Sequence, residues 1–444
     1  MMSTVTLLRV TIAVAGRWAV GGVDDGVHAA DLPVLRDLRH TSDSPRAHIP
    51  ATSLAGSLRA HLDPTAAERW LGPEPGSKEL ATGSLDRSRQ GLLRLLGVTL
   101  DDSMSVHQRK ATAVDGQRRA ASGGTFRTEE WVSGGRLTMF MEHPGPYDAS
   151  LGAMLATWRP VVGRSRTSGM GIAQVVDFDA LTLDLTRKAD LHWWIGQRRE
   201  WLDPAGALPL VGTQPNLDGV LGVPRKPADG WSMSIEWTVA EPVHIGFDSP
   251  ASVEGQSSKV ALIFRVGGRP AVPGSSWKGI YRHGVNHVLL CAGLRDDTDR
   301  HEVLAHLFGD TRRRGVVQFA DAQVLGTETD SCTRTHAPID RFTGGAKRGA
   351  LHTIEAIPRG STLPQQMFAL EAVPAPLTNL LRHVVRDLHD GFRSIGRGSS
   401  RGYGWIKAPA GDPSLATQPV VLAEVLAACP TSRSNRPLGE QDES

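Results

Sequence analysis

The chain opens on TVTLLRVTIAVAG, where polar and apolar residues alternate with the period of a strand that buries one face. Its only early positive charge is Arg9, so it lacks the charged start of a secretory signal, and it reads as the first strand of a cytoplasmic protein. A second alternating strand opens near residue 230. After each strand come a loop and an Ile/Val-Pro block, in which Pro50 or Pro273 ends the extended segment. Thr52/Ser53 and Ser275/Ser276 are placed to cap the helix that follows. Gly56 and Gly279 fall in its first turn, where a missing side chain permits close backbone packing. These helices run to about His61 and about Leu290. Short Val/Ile/Phe-rich strands follow, such as 315–319, and a further helix spans Leu377–Leu388. A strand, a helix, two strands, a helix and a strand, twice over, predict an α+β chain of two tandem ferredoxin-like, RRM-like modules.

The pattern recurs because the sequence does. IPATSLAGSLR, from Ile49 to Arg59, returns as VPGSSWKGIYR, from Val272 to Arg282. Asp115, Ala121, Gly124, Glu130 and Gly135 are spaced as Asp340, Ala346, Gly349, Glu355 and Gly360. Gly163-Arg164, Gly169 and Gly171 match Gly396-Arg397, Gly402 and Gly404. Three blocks in one order, at nearly constant offset, mark a duplication. The expected boundaries are a first module at 1–202, a linker at 203–230, a second module at 231–409 and a tail at 410–444. The linker is rich in Pro and Gly and has no helical period. In the tail, VVLAEVLAA suits one docked helix, and the polar tip beyond it reads as disordered.

Composition narrows the function classes. With 444 residues, 40% hydrophobic and 22% charged, the chain is an ordinary globular one. No run approaches the roughly 20 apolar residues that span a bilayer. Cys291, Cys332 and Cys429 lie far apart and form no CxxC, which argues against a disulfide framework and fits a reducing compartment. Cys332 with His336, and His301 with His306, read better as a strand cysteine and helix-face histidines than as zinc ligands. A net charge of +2 does not mark a polynucleotide binder. Local charge does. Arg109, Lys110, Arg118, Arg119 and Arg127 crowd a stretch whose one acid is Asp115. Arg159, Arg164 and Arg166 form a second cluster, and Arg393, Arg397 and Arg401 a third.

Such clusters are commonly solvated faces, but these recur beside glycines at matching places. Glycines expose backbone N–H groups to a polyanion, and Arg164, Arg166, Arg397 and Arg401 add forked donors for phosphates. No GKS or GKT follows, so this is not a nucleotide P-loop. Arg59 and Arg282 occupy matched helix positions, and Lys278 lies one turn before Arg282, so these too are assigned to phosphates. Ala55 replaces Lys278 in the first copy.

The blocks resemble those of the RAMP superfamily, specifically the backbone subunits of type III CRISPR effector complexes. The resemblance rests on four motifs: Pro273 to Gly279; Leu307-Phe308-Gly309 before Asp321-Ala322; Ile339 to Ala346; and the loop Gly396 to Gly404. It implies a fused double subunit along a guide CRISPR RNA, with single-stranded target RNA and other type III subunits as partners and no membrane. It also implies that each module carries a glycine-rich loop and a protruding hairpin that presses between guide and target. Asp340, Arg341 and Phe342 mark the hairpin in the second module, Asp115 and Arg118 in the first. The first has lost Phe342 and Thr343, with Gln117 and Arg118 nearby instead, so its tip is expected to be more electrostatic.

Cleavage in that family depends on an aspartate between the first strand and the proline helix. DLPVLRD, from Asp31 to Asp37, resembles its Asp-x-Pro-Val-x-Arg-Asp, with Asp31 at the cleaving position. A carboxylate there would take a ribose 2′-hydroxyl proton, or hold a divalent ion, Mg or Mn, that does so. No organic cofactor is implied. The competing reading of Asp31 is a loop acid that caps a turn. Asp24, Asp25 and His28 are neighbours able to assist or replace it, and Asp37 is expected to hold the loop through Arg36 or Arg39. The second module has no Asp-x-Pro-Val, and its Asp248 and Glu254 stand elsewhere, so cleavage is not expected from it. Two rivals remain: an inert guide-holder, and a guide-processing nuclease using His28 or His244 beside a glycine loop.

Overall fold

A computed structural model describes residues 3–22, 30–37, 46–73, 91–102, 104–115, 120–215, 230–248, 260–326, 331–347 and 350–429. The chain divides into two compact units: residues 1–111, 126–166 and 170–225 in one, and 112–125, 167–169 and 226–444 in the other. No helix among the described residues is long and apolar enough to cross a membrane.

The first unit contains, in order, β1 (Thr4–Val14), α1 (Ala51–Arg59), α2 (Pro64–Leu71), β2 (Arg94–Leu100), β3 (Val106–Ala111), β4 (Arg127–Val132), β5 (Gly135–Pro144), α3 (Ala149–Thr157), β6 (Ala173–Asp184) and α4 (Lys188–Gly196). Its antiparallel sheet runs β2-β5-β1-β6, the order of a ferredoxin-like fold, and the β3–β4 hairpin is inserted between its second and third strands. Alternation along β1 puts Leu8, Val10 and Ile12 in the core, and Leu54, Leu58, Leu151 and Leu155 bury the inner faces of α1 and α3. Asp63 caps α2 through the Ala66 N–H, Pro64 pre-sets its first turn, and Gly72 ends it at φ 81°.

The other sheet face is covered too. Val5, Leu7, Leu181 and Leu183 pack with Trp193 and Trp201. Arg9 lies over the Trp201 ring at 4.6 Å and donates to Gly206 O at 2.9 Å. The expected linker therefore begins as packed chain. Thr213 exchanges hydrogen bonds of 2.8 and 2.9 Å with Thr182, and Gly212 N–H reaches the buried Asp190 carboxylate at 3.1 Å. Its remainder, 216–229, lies outside the described residues.

The second unit contains β7 (Trp231–Val239), β8 (Val260–Ile263), α5 (Gly274–Cys291), α6 (Asp297–Phe308), β9 (Gln318–Phe319), β10 (Cys332–His336), β11 (His352–Ala356), β12 (Thr362–Ala369), α7 (Ala375–His389), β13 (Ile406–Lys407) and α8 (Leu422–Ala427). Its sheet, β9-β12-β7-β13, has the same order and is again antiparallel throughout. Trp237 and Trp277 stack in the core, and the buried Gln365 accepts from Trp237 Nε1 at 2.7 Å and Tyr281 Oη at 3.2 Å. α8 docks through Val425, as its apolar pattern predicts, and 430–444 lie outside the described residues. Ser232, Ser234, Glu236 and Thr238 are exposed along β7. An exposed carboxylate and small polar groups there make no stacking platform, and in the first unit the corresponding face is closed.

Two local expectations fail. Pro50 and Pro273 are themselves the N-caps of α1 and α5, and neither helix has a side-chain cap of its own. Proline fixes the extended entry, and Asp321, 47 residues away, accepts the Gly274 N–H at 2.7 Å. A Cβ on Gly56 or Gly279 would meet nothing within 4 Å. The glycine that close packing requires is Gly274, where a Cβ would strike Phe319 O.

Candidate nucleic-acid interface and cleaving loop

Leu32 pairs with β4: its N–H donates to Thr128 O at 3.1 Å, and Glu130 N–H donates to Leu32 O at 3.0 Å. Beneath it, Glu130 is 1% exposed and accepts from Val34 N–H at 3.0 Å, Arg36 at 2.9 Å and Gln108 at 3.0 Å. From the side, Arg164 donates to the carbonyls of Leu32, Pro33 and Glu130 at 2.6, 3.0 and 3.0 Å. The loop is thus clamped by a carboxylate and a guanidinium. Arg36 pairs with Glu130 at 2.9 Å. Asp31 is exposed at the start of this clamped run, and its Oδ2 accepts the Thr128 N–H at 2.7 Å. Asp24, Asp25, His28 and Arg39 lie outside the described residues.

The second unit builds the carboxylate half of this clamp again. Glu355, 8% exposed, accepts from Ile263 N–H at 2.9 Å, Arg265 at 2.5 Å and the Ser331 hydroxyl. Burial opposes its ionisation, but these hydrogen bonds prevail and hold the carboxyl below the ordinary glutamate range. Ile263-Phe264-Arg265 therefore stands where Val34-Leu35-Arg36 stands. Leu32 bridges Glu129 in parallel, and Ala261 pairs in parallel with Ile354. Counting back one residue puts the buried Val260 at the position of Asp31. The side chain of Asp248, and Glu254, lie outside the described residues.

The glycine loops match bond for bond. Val162 N–H donates to Gly171 O at 2.9 Å, and Ile395 N–H to Gly404 O at 2.9 Å. Arg164 N–H donates to Ala19 O at 2.8 Å, and Arg397 N–H to His244 O at 2.9 Å. All six glycines, Gly163, Gly169, Gly171, Gly396, Gly402 and Gly404, have φ between 74° and 88°. Any other residue would be strained there, and a Cβ at Gly171 or Gly404 would also strike the backbone of Val162 or Ile395.

The cations divide into two sets. Arg59 donates to Leu71 O and Gly72 O at 3.0 and 2.9 Å, and Arg282 to Gly309 O at 2.8 Å, so each closes the C-terminal end of the following helix. With Arg164 and with Arg166, which donates to Gly163 O at 2.9 Å, four arginines direct donors at the protein's own carbonyls. Burial, then the nearby Arg282, push the Lys278 ammonium down to about 8. Arg397 and Arg401 are exposed. In the first hairpin, Glu129 pairs with Arg109 and Arg127 at 2.9 and 2.7 Å, neutralising part of a cluster that looked uncompensated.

The second hairpin, β10–β11, ends in a turn tied by Asp340. Its carboxylate accepts from the Thr343 and Phe342 N–H groups at 3.0 and 2.9 Å, which hold it below the usual carboxylate range. Phe342 is 91% exposed at that tip, and Arg341 is exposed beside it. The first hairpin has an aromatic that the sequence reading passed over: Phe126, 65% exposed, with Lys110 Nζ 5.8 Å from its ring centre. Its signal was position, directly after the glycine pair Gly123-Gly124 and Thr125. Arg118 and the Asp115 side chain lie outside the described residues.

No group of three acidic, His or Cys side chains among the described residues could hold a metal ion. Asp31 by itself does not make a metal site. His244, a candidate for guide processing, is buried and bonds Glu355 O through Nδ1 at 2.6 Å, away from solvent.

Residues 238–407 match the RAMP superfamily. The second unit carries a RAMP module. No curated protein matches the sequence. Among solved structures, one similar chain comes from a cryo-EM structure of the type III-B Cmr-beta bound to cognate target RNA. It is 17% identical, with a TM-score of 0.32, over 41% of this chain and 59% of that one. In the RAMP module, the matched region runs from β7 through the glycine loop to β13, so it contains Glu355, the Asp340 hairpin and Arg397.

Proposed function

We propose that this chain is a duplicated backbone subunit of a cytoplasmic type III CRISPR effector, holding guide CRISPR RNA, positioning single-stranded target RNA, and cutting the target through its first unit. The observation that carries the reading is the carboxylate anchor built twice, around Glu130 and around Glu355, with an exposed Asp31 over one and a buried Val260 over the other. Asp31 takes the proton of a target 2′-hydroxyl, and that oxygen bonds to the adjacent phosphorus. The bond from phosphorus to the 5′-oxygen breaks, leaving a cyclic phosphate and, once the leaving oxygen is protonated, a 5′-hydroxyl. The clamp contributes alignment. The inert guide-holder is favoured by one observation, the Thr128 N–H bond that makes Asp31 a turn cap.

The test of RNA holding is the salt dependence of binding. Arg341→Ala with Arg397→Ala should weaken single-stranded RNA of any sequence and lower the log–log salt slope by about 0.7 per lost phosphate contact. An unchanged slope removes these arginines from the RNA path, and no binding at any salt concentration overturns the reading. Phe342→Ala should cost about 1–3 kcal/mol of RNA affinity, the worth of one stacked base, with melting unchanged because the ring is exposed. Equal affinity in fluorescence titrations would rule out stacking at the tip.

A further inference from the structure

Arg334, His336, His352, Arg401 and Tyr403 come together where β10, β11 and the second glycine loop meet. The His336 and His352 rings stack with centroids 5.3 Å apart. His336 Nε2 and the Tyr403 hydroxyl share a hydrogen bond of 2.8 Å, and the Arg334 guanidinium lies 5.6 Å from the Tyr403 ring centre. Arg401 Nη1 donates to His352 Nε2 at 3.1 Å, while His352 Nδ1 faces Ala350 O at 3.3 Å.

Arg401 from the loop and Arg334 from its own strand act on His336 as cations, and His352 from β11 stacks beside it. Cys332 and Tyr403 complete the titratable set, packed with Ile354 below. Glu355, the acid of β11, points to the other face, toward Arg265 and Ser331. Burial first, then Arg401, His352 and Arg334, hold the His336 imidazole below its ordinary value. Crowded cations repel one another, and an anion set among them would relieve that.

We infer that this cluster is a phosphodiester-binding site whose grip on an RNA backbone tightens as His336 takes up a proton. The inference rests on the RNA-holding reading and adds to it a site and a pH dependence. In the free protein the His336 imidazole, held below its ordinary value, is neutral near neutral pH. A bound phosphate raises its proton affinity, so binding takes up a proton and strengthens as pH falls. Each linked proton contributes up to about tenfold in affinity per pH unit.

The experiment follows the anisotropy of fluorescein-labelled oligouridine with the full chain, from about pH 7.5 to about pH 5.5 at constant salt. Wild type should tighten by about fivefold or more across that range. H336Q/H352Q should lose the tightening and bind with one affinity across the range. A control with exposed histidines elsewhere, H192Q/H301Q, should keep the wild-type slope. Calorimetry of wild type in buffers of different ionisation enthalpy should show proton uptake on binding, which needs no variant to fold. A wild-type slope in H336Q/H352Q, or no proton uptake, overturns the inference and leaves RNA holding intact. No RNA binding by wild type at any pH overturns both.

Discussion

Asp31→Asn and Asp31→Ala are each expected to abolish target cleavage in the assembled effector while leaving guide and target binding within about twofold. Cleavage falls because the loop loses its proton acceptor, and general bases contribute about 10²–10⁴ in rate. Binding persists because Asp31 is exposed and its loop stays clamped by Glu130 and Arg164. The Asn variant is the sharper test. It retains an oxygen for the Thr128 N–H, so the turn keeps its cap, but it cannot take a proton. Alanine also forfeits that hydrogen bond, at about 1 kcal/mol. The readout is a denaturing gel of labelled target RNA. Cutting at the same site by the Asn variant would leave Asp31 as a turn cap and pass the search to Asp24, Asp25 and His28. No cutting by wild type, with Mg or Mn supplied, would favour the inert guide-holder.

Much of the fold was legible because its requirements are local. Six glycines at positive φ tolerate few substitutes, so their spacing survives in the sequence wherever the loop does. The alternation of β7 reports burial directly, and so does the period of α7, whereas β1 is buried on both faces, with Thr6 and Arg9 among the buried residues. Arginine roles were not legible, because a guanidinium seeks whichever oxygen tertiary structure brings near. Arg164 reaches Pro33 O across 131 residues of chain, and no spacing rule anticipates that. The arginine recurs beside the glycine in both loops, and in the first its side chain holds the carbonyls of Leu32 and Pro33.

Glu130 and Glu355 illustrate the same limit. Their equal spacing was visible, yet nothing local told a buried anchor from a surface acid. Val260 as the counterpart of Asp31 was hidden because the two loops differ in length and composition. It emerged once Ile263 and Arg265 were seen on Glu355, as Val34 and Arg36 are on Glu130. The charge cluster near the first hairpin misled for a related reason. Glu129 lies just past its end in sequence but directly across from Arg109 in the β3–β4 pair.

The two anchors make the second large prediction, a matched pair with different consequences. Glu130→Ala removes one partner of a buried ion pair and leaves the Arg36 guanidinium and the Val34 N–H without their acceptor. Breaking such a pair costs about 3–5 kcal/mol, far more than the intact pair contributes over an apolar replacement. At about 2–4 °C per kcal/mol for a unit of this size, melting should fall by roughly 6–20 °C. Glu355→Ala should cost a similar amount, since Arg265, Ser331 and Ile263 N–H lose the same kind of acceptor. The Glu355 carboxyl is held below the ordinary range, so its contribution is present above that range and lost as pH falls through its lowered value. The melting difference between wild type and Glu355→Ala should therefore shrink in acid. Cleavage separates the pair. Glu130 anchors the loop that presents Asp31, so Glu130→Ala should lose cutting even at temperatures where it is fully folded. Glu355 anchors a loop with Val260 in that place, and Glu355→Ala should cut at the wild-type site and rate. Thermal melting and the gel assay, run on both variants, decide it. Wild-type melting in Glu130→Ala would reject the anchor, and equal loss of cutting in both variants would mean that alignment of Asp31 does not depend on its own clamp.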